Sequence, residues 1–153
     1  SRTIPCKAFL VHRLVADAFI NCWKSKYTYH CERPSSYVHK NINVQWQQFW
    51  PEPPFPAYYS GHSVQGASSA TVLEAIYGTS YAFTDTSHEG RPKDLVRNID
   101  FKSRKFNSFW EAATESAMSR FYGGIHTKND NEIGLIEGKK IGGNINSLNW
   151  KAK

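Results

Sequence analysis

Between Cys6 and Tyr29 the apolar positions Val15, Ala18, Phe19, Cys22 and Trp23 recur at three- and four-residue steps. Side chains so spaced share one side of an α-helix, so the pattern predicts a helix over this stretch. Lys26 falls on the same stripe, four after Cys22. A lysine there either snorkels outward along the apolar surface or belongs to a face that lines an anion pocket. The residue before a proline disfavours the α region, so Arg33-Pro34 is expected to end the helix.

From Val44 to Ser60 the pattern breaks into aromatics and prolines, "VQWQQFWPEPPFPAYYS". Four prolines between Pro51 and Pro56 forbid helix and regular sheet. An ordered loop is expected, pinned by burial of Trp46, Phe49, Trp50, Phe55, Tyr58 and Tyr59. Rigid loops of this kind more often shape a site than join domains. Helical spacing returns from Gly61 to Tyr77, where Val72, Leu73 and Ile76 give the apolar face and the small residues from Gly66 to Ala70 permit close backbone approach. Gly78 reads as its stop.

Thr79 to Lys105 is polar and mixed in charge and reads as a long surface loop. Its cations, Arg91, Lys93, Arg97, Lys102, Arg104 and Lys105, are partly offset by Asp94 and Asp100, which suits a solvated loop better than a nucleic-acid patch. Ser108-Phe109-Trp110-Glu111 is a capping-box pattern, so a helix is expected from Phe109 to about Phe121, broken by Gly123-Gly124. A last helix is expected from about Asn131 to Leu148. Gly134, Gly138 and Gly142 lie four apart on one of its faces. Glycine costs roughly 1 kcal/mol in a helix interior, and tight helix–helix contact is the simplest reason to keep three. No sustained strand pattern appears. The expected fold is all-α: a helical bundle with long loops and an active site at helix ends.

Composition narrows this further. The chain has 153 residues, enough for one domain with a core, so residues 1–153 are taken as one helical domain. Nine Phe, eight Tyr and five Trp exclude a disordered chain. Mean hydropathy is −0.56, and no apolar run reaches the roughly 18 residues of a membrane span. No basic-then-apolar leader is visible, and the start at Ser1 rather than Met leads us to expect an upstream segment removed or omitted. A net charge of +6 and a pI near 9.3 favour anionic partners: nucleic acid, an acidic surface or a small oxyanion. Cys6, Cys22 and Cys31 are odd in number without CxxC spacing, and they are expected to be free thiols.

Three clusters carry candidate chemistry: Lys26-x6-Arg33-Pro34, Ser60-Gly61-His62, and Ser119-Arg120-x5-His126-x3-Asp130. Singly, each has a bland reading. Lys26 and Arg33 could be surface charges, Ser60 an N-cap, Arg120 a cation at a helix C-terminus, His126 structural and Asp130 a helix cap. Together they suit one oxyanion. Lys26, Arg33 and Arg120 supply fixed positive charge, and the Gly61 amide sits at a helix N-terminus, a natural anion site. His62 and His126 can act as acid, base, nucleophile or ligand near neutral pH. Asp130, four after His126, can bond one ring nitrogen and leave the other bare.

The clusters resemble the superfamily of type 2 phosphatidic acid phosphatases, bacterial non-specific acid phosphatases and vanadium-dependent haloperoxidases, whose signature reads K-x6-RP, PSGH and SR-x5-H-x3-D. The one departure is Tyr59 in place of the signature's proline. The resemblance implies that Lys26, Arg33, Ser60, Gly61 and Arg120 hold phosphate or vanadate oxygens. In the phosphatases His126 would be the nucleophile, His62 would protonate the leaving group and Asp130 would orient His126. In the haloperoxidases His126 would be the ligand to vanadium and His62 would assist peroxide binding. Trp23 and Phe55 stand where haloperoxidase aromatics line the halide and peroxide side, and "ADAFINCWKSKY" and "SRFYGGIHTKNDNEIGLIEGKKIG" are similar to bacterial haloperoxidase homologues. Membrane lipid phosphatases are excluded by the lack of spans.

The leading expectation is thus a vanadate-dependent haloperoxidase-like enzyme using hydrogen peroxide and halide, with phosphate as a competing anion. A soluble acid phosphatase acting on phosphomonoesters through a phosphohistidine comes second. A non-catalytic domain binding phosphate-bearing ligands or nucleic acid comes third. Soluble haloperoxidases are much longer, with a helical region before the first motif. The chain is therefore expected to match their C-terminal catalytic part, with the cover of the bundle supplied by a missing N-terminal region or another chain. The family resemblance also implies a periplasmic or secreted protein.

Overall fold

A computed structural model describes residues 3–148, with side chains from residue 11 onward. The thiol of Cys6 lies outside the described residues. The element order is α1 (Thr3–Tyr29), α2 (Pro34–Asn41), α3 (Gly61–Tyr77), β1 (Phe83–Asp85), β2 (Arg104–Phe106), α4 (Phe109–Tyr122) and α5 (Lys128–Ser147). The fold is an α-helical bundle with one small hairpin. No helix among the described residues is long and apolar enough to cross a membrane.

Helix α3 is the centre, packed on α1, α4 and α5, and its contact with α5 is the most extensive. The glycine stripe explains that closeness. A Cβ at Gly134 would fall 2.7 Å from Ser63 Cβ and 2.9 Å from the Ser60 carbonyl oxygen. At Gly138 it would overlap the Val64 carbonyl and lie 2.8 Å from Ala67 Cβ, and at Gly142 it would lie 2.6 Å from Thr71 Cβ. Carbon atoms rest roughly 3.5–4.0 Å apart, so any side chain on this stripe would push the two helices apart. One apolar cluster joins Ala18, Cys22, Tyr59, Val64 and Ile141, and a second joins Leu14, Val72 and Ile145.

Several expectations need correction. Helix α1 ends at Tyr29 because His30 turns into the left-handed region at φ 49°, four residues before the proline. Pro34 then starts α2 as its first helical residue, where a missing N–H costs nothing. The buried line of α1 runs Leu14, Ala18, Cys22 and Lys26, so Phe19 is exposed, leaning on Trp23 at 4.8 Å. The 79–105 segment is not wholly loop. Phe83 pairs with Phe106 and Asp85 with Arg104 in an antiparallel hairpin too short for its alternation to be seen. Among the loop aromatics only Tyr59 is fully buried, and Phe49 is exposed with its ring against Trp50. Helix α5 begins at Lys128, capped by Thr127, whose hydroxyl accepts from Asp130 N at 3.1 Å. Cys22 is a buried free thiol and Cys31 an exposed one.

Candidate functional site

Each motif sits where a helix starts or stops. Lys26 is in the last turn of α1, Arg33 caps α2, Ser60 caps α3, Arg120 ends α4, and His126 and Asp130 flank the start of α5. The tight α3–α5 packing ties two of these ends together, because Ser60 N donates to the Asp130 carbonyl at 3.0 Å.

Lys26 does not snorkel. It is 1% exposed, and Nζ donates to the carbonyls of Pro56 at 2.9 Å and Ala57 at 2.8 Å. Burial pulls its pKa down to about 8, with Arg33 adding repulsion. Arg33 is also buried. Its Nε and Nη2 donate to the Phe55 carbonyl, at 3.0 and 2.9 Å, and Nη1 donates to the Ile125 carbonyl at 2.9 Å. Phe55 lies under both cations, with Lys26 Nζ 5.4 Å and the Arg33 guanidinium 5.3 Å from its ring centre, and Trp23 packs on it at 5.1 Å. The two aromatics thus wall the cationic pair.

His126 is buried, and its tautomer can be deduced. Arg33 Nη1 lies 3.1 Å from Nε2. A guanidinium can only donate, so Nε2 carries a lone pair rather than a proton. The proton is therefore on Nδ1, which faces Asp130 Oδ2 at 3.3 Å. Burial lowers the His126 pKa, the Asp130 hydrogen bond opposes that, and Arg33 and Lys26 add to it. Asp130 serves two masters: the same oxygen accepts from Thr127 N at 2.9 Å to complete the capping box. Burial pushes its pKa up, but the bonds from His126 and Thr127 leave it lowered overall, so the carboxylate stays ionised.

His62, in the first turn of α3, keeps an exposed edge. Crowding by protein on its other sides, with repulsion from Arg120, His126 and Lys26, brings its pKa down to about 4. That coupling puts His62 in the same charged neighbourhood as the other motifs. Ser60 is fully buried, and its hydroxyl accepts from Ser63 N at 3.4 Å, so it is indeed an N-cap. The next amides, of Gly61 and His62, have no intrahelical acceptor. A Cβ at Gly61 would make only ordinary contact, 3.6 Å from the Trp23 ring. Arg120 is not consumed by the helix C-terminus: its Nε is buried without a hydrogen-bond partner. Sequence reasoning overlooked Asn131. It is 1% exposed, its Oδ1 accepts from Ser63 Oγ at 3.1 Å, and its Nδ2 is an unsatisfied buried donor beside Asp130.

The donor set suits an oxyanion. Three cations, the free amides at the start of α3, an orphaned guanidinium N–H and an unprotonated imidazole nitrogen that accepts from Arg33 share one charged neighbourhood. Among the described residues no group of three or more His, Cys, Asp or Glu could hold a bare metal ion.

Residues 7–150 match the family described as the VCPO second helical-bundle domain. No curated protein matches the chain. Among solved structures, it is similar to the first bacterial vanadium-dependent iodoperoxidase, with 35% identity, a TM-score of 0.80, 92% of this chain covered and 32% of that one. It also resembles in fold a holo-type bacterial vanadium-dependent chloroperoxidase, with 13% identity, a TM-score of 0.74, 89% of this chain covered and 34% of that one. The chain thus spans about a third of the length of each.

Proposed function

The chain belongs to the vanadium haloperoxidase superfamily, and from that premise we propose that it holds vanadate in an enzyme oxidising halide with hydrogen peroxide. One observation carries the reading: a buried imidazole whose Nε2 is kept unprotonated by an ionised aspartate on its other side and accepts a hydrogen bond from a guanidinium. His126 would be the ligand, and Lys26, Arg33, Arg120, Ser60 and the Gly61 amide would hold the oxygens. When bound, vanadate supplies a Lewis-acidic centre able to activate peroxide toward halide. Asp130 keeps the proton on Nδ1 and so keeps Nε2 available. His62, neutral at pH 7, accepts a proton at its ring nitrogen from incoming peroxide. Trp23 and Phe55 limit water beside the cations. Lys26 and Arg33 lend N–H groups now engaged by loop carbonyls.

The 35% identity to a bacterial vanadium-dependent iodoperoxidase favours this reading over phosphomonoester hydrolysis. The test compares triiodide formation from iodide and peroxide, with and without vanadate, against hydrolysis of a phosphomonoester by the same protein. Vanadate-dependent triiodide supports the proposal. Hydrolysis that vanadate suppresses, without triiodide, would overturn it in favour of the phosphatase. Tight nucleic-acid binding with neither activity would overturn both.

A further inference from the structure

Ser60 is held from two directions. On one side its N–H is fixed by the Asp130 carbonyl of α5 at 3.0 Å. On the other, the segment just before it, Ala57–Tyr59, is fastened to α1. Ala57 donates from N to the Cys31 carbonyl at 3.0 Å, and its own carbonyl accepts from Lys26 Nζ at 2.8 Å. Two residues on, the Tyr59 carbonyl accepts from Cys22 Sγ at 3.4 Å. Cys22 and Lys26 stand one turn apart on the buried line of α1, so successive turns of that helix grip alternate carbonyls of the segment. Burial raises the Cys22 pKa to about 11, so the sulfur keeps the proton it donates. Ala57 and Tyr59 are buried, while Tyr58 between them is half-buried and meets the Tyr29 ring edge-on at 5.4 Å.

Tyr59 carries a group that packing alone does not call for. Its ring lies in the apolar cluster of Ala18, Cys22, Val64 and Ile141, where α1, α3 and α5 meet. A phenylalanine would fill that space equally well. The Tyr59 hydroxyl instead reaches through to the surface of α1 and donates to Asn21 Oδ1. Apolar burial is non-directional, so the cluster holds the ring in place without fixing its orientation. The hydrogen bond to Asn21 supplies the direction. The next residues along the chain are Ser60, the N-cap of α3, and Gly61, whose Cβ position lies 3.9 Å from Cys22 Sγ. A shift of Tyr59 is therefore passed directly to both.

We propose that Tyr59 is a positioning residue for the oxyanion site: through its hydroxyl on Asn21 it holds Ala57–Tyr59 in register on α1 and so presets the Ser60 hydroxyl and the Gly61 amide. The role rests on the reading above that Ser60 and Gly61 hold vanadate oxygens. Without the bond, the segment populates other arrangements, and an incoming anion has to select the competent one. The apparent dissociation constant then rises by the inverse of the competent fraction, while the site once filled is unchanged.

Tyr59→Phe and Asn21→Ala each remove one partner of the bond, and the double variant removes both. Calorimetry with orthovanadate, well below Tm, reads the affinity. Each single variant should bind about fivefold more weakly, the share of one hydrogen bond. The double variant should bind no more weakly than either, because both residues act through the same bond. In triiodide formation the half-saturating vanadate concentration should rise by the same factor, with kcat at saturating vanadate within about twofold of the parent. Ile141→Val trims the same cluster and leaves the bond intact. It should lower Tm and keep the parent's affinity. Parental affinity in Tyr59→Phe, or losses that add in the double variant, would overturn the positioning role. So would an Ile141→Val protein that loses as much affinity as Tyr59→Phe, since packing alone would then account for the effect. A parent protein that binds no orthovanadate would overturn the reading of the site itself, and the role of Tyr59 with it. A parent that binds orthovanadate but makes no triiodide would overturn halide oxidation alone, and the calorimetric comparison would still decide the role of Tyr59.

Discussion

The packing of α5 on α3 is predicted to control anion affinity at one end and only stability at the other. Gly134→Ala and Gly142→Ala are the perturbations. An alanine Cβ at Gly134 would lie 2.7 Å from Ser63 Cβ and 2.9 Å from the Ser60 carbonyl, and at Gly142 2.6 Å from Thr71 Cβ and 2.9 Å from the Ser68 carbonyl. The clashes are matched, each nearly 1 Å inside normal contact, and each involves backbone that cannot rotate away. Overpacking of this kind costs about 1–3 kcal/mol, partly offset by the roughly 1 kcal/mol that alanine gains over glycine in a helix. Both variants should therefore melt a few degrees lower, since about 1 kcal/mol moves Tm by roughly 2–4 °C at this size. Only Gly134 presses on Ser60, whose N–H bonds the Asp130 carbonyl and whose hydroxyl caps α3. Displacing Ser60 shifts the Gly61 and His62 amides relative to His126. Gly134→Ala should thus weaken vanadate binding about tenfold, equivalent to about 1.4 kcal/mol, while Gly142→Ala leaves it near the parent value. Thermal melts and calorimetry on folded samples well below Tm read both. Equal losses of affinity in the two variants, or a Gly134→Ala protein that is destabilised yet binds vanadate as the parent does, would refute the reasoning.

Other outcomes follow from the titrating groups. His126→Ala should abolish vanadate binding by calorimetry, whereas His62→Ala should lower turnover about 10²–10⁴-fold and retain most of the affinity. The anion-free protein should lose stability as pH falls from about 6.5 toward 4, because the unfolded chain protonates His62 while the fold holds its pKa at about 4. Chemical denaturation across that window should show a shallower slope in His62→Phe. Raising the pH through about 8 should weaken inorganic phosphate binding as Lys26 loses its proton in the anion-free fold. Over the same rise the anion-free fold should gain stability, since the unfolded lysine stays charged to about 10.5, and Lys26→Met should remove both trends.

Much of this arrangement was legible in residue spacing, and the failures have physical causes. Helical stripes mark α1 and α3 nearly in full, because period 3.6 needs only local information, and a capping box marks the start of α4. Pro34 misled because one residue both forbids helix before it and favours helix after it. The hairpin escaped because a three-residue strand shows no alternation to count, and its Phe83–Phe106 pair joins positions far apart in sequence. Asp130 invited a choice between partner of His126 and cap of α5, yet one carboxylate oxygen does both, which sets the start of α5 three residues earlier than expected. Asn131 gave no signal, since an asparagine in a first helical turn is ordinary until its amide is found buried without a partner.

The proline-rich loop has a role that its sequence only half disclosed. Its prolines were read as a rigid frame for aromatics. Pro53, Pro54 and Pro56 also lack N–H groups, so the loop has more backbone acceptors than donors. The carbonyls of Phe55, Pro56 and Ala57 take the hydrogen bonds of Arg33 and Lys26. Those cations make no ion pair among the described residues. The distinction matters for an anion site. A carboxylate would satisfy a buried cation equally well but would cancel its charge, and an incoming oxyanion would then have to displace a full negative charge. Carbonyl dipoles satisfy the N–H groups and leave the charge standing. A loop in which four prolines lack donors is one way for a bundle to hold Lys26 and Arg33 buried, hydrogen-bonded and still positive.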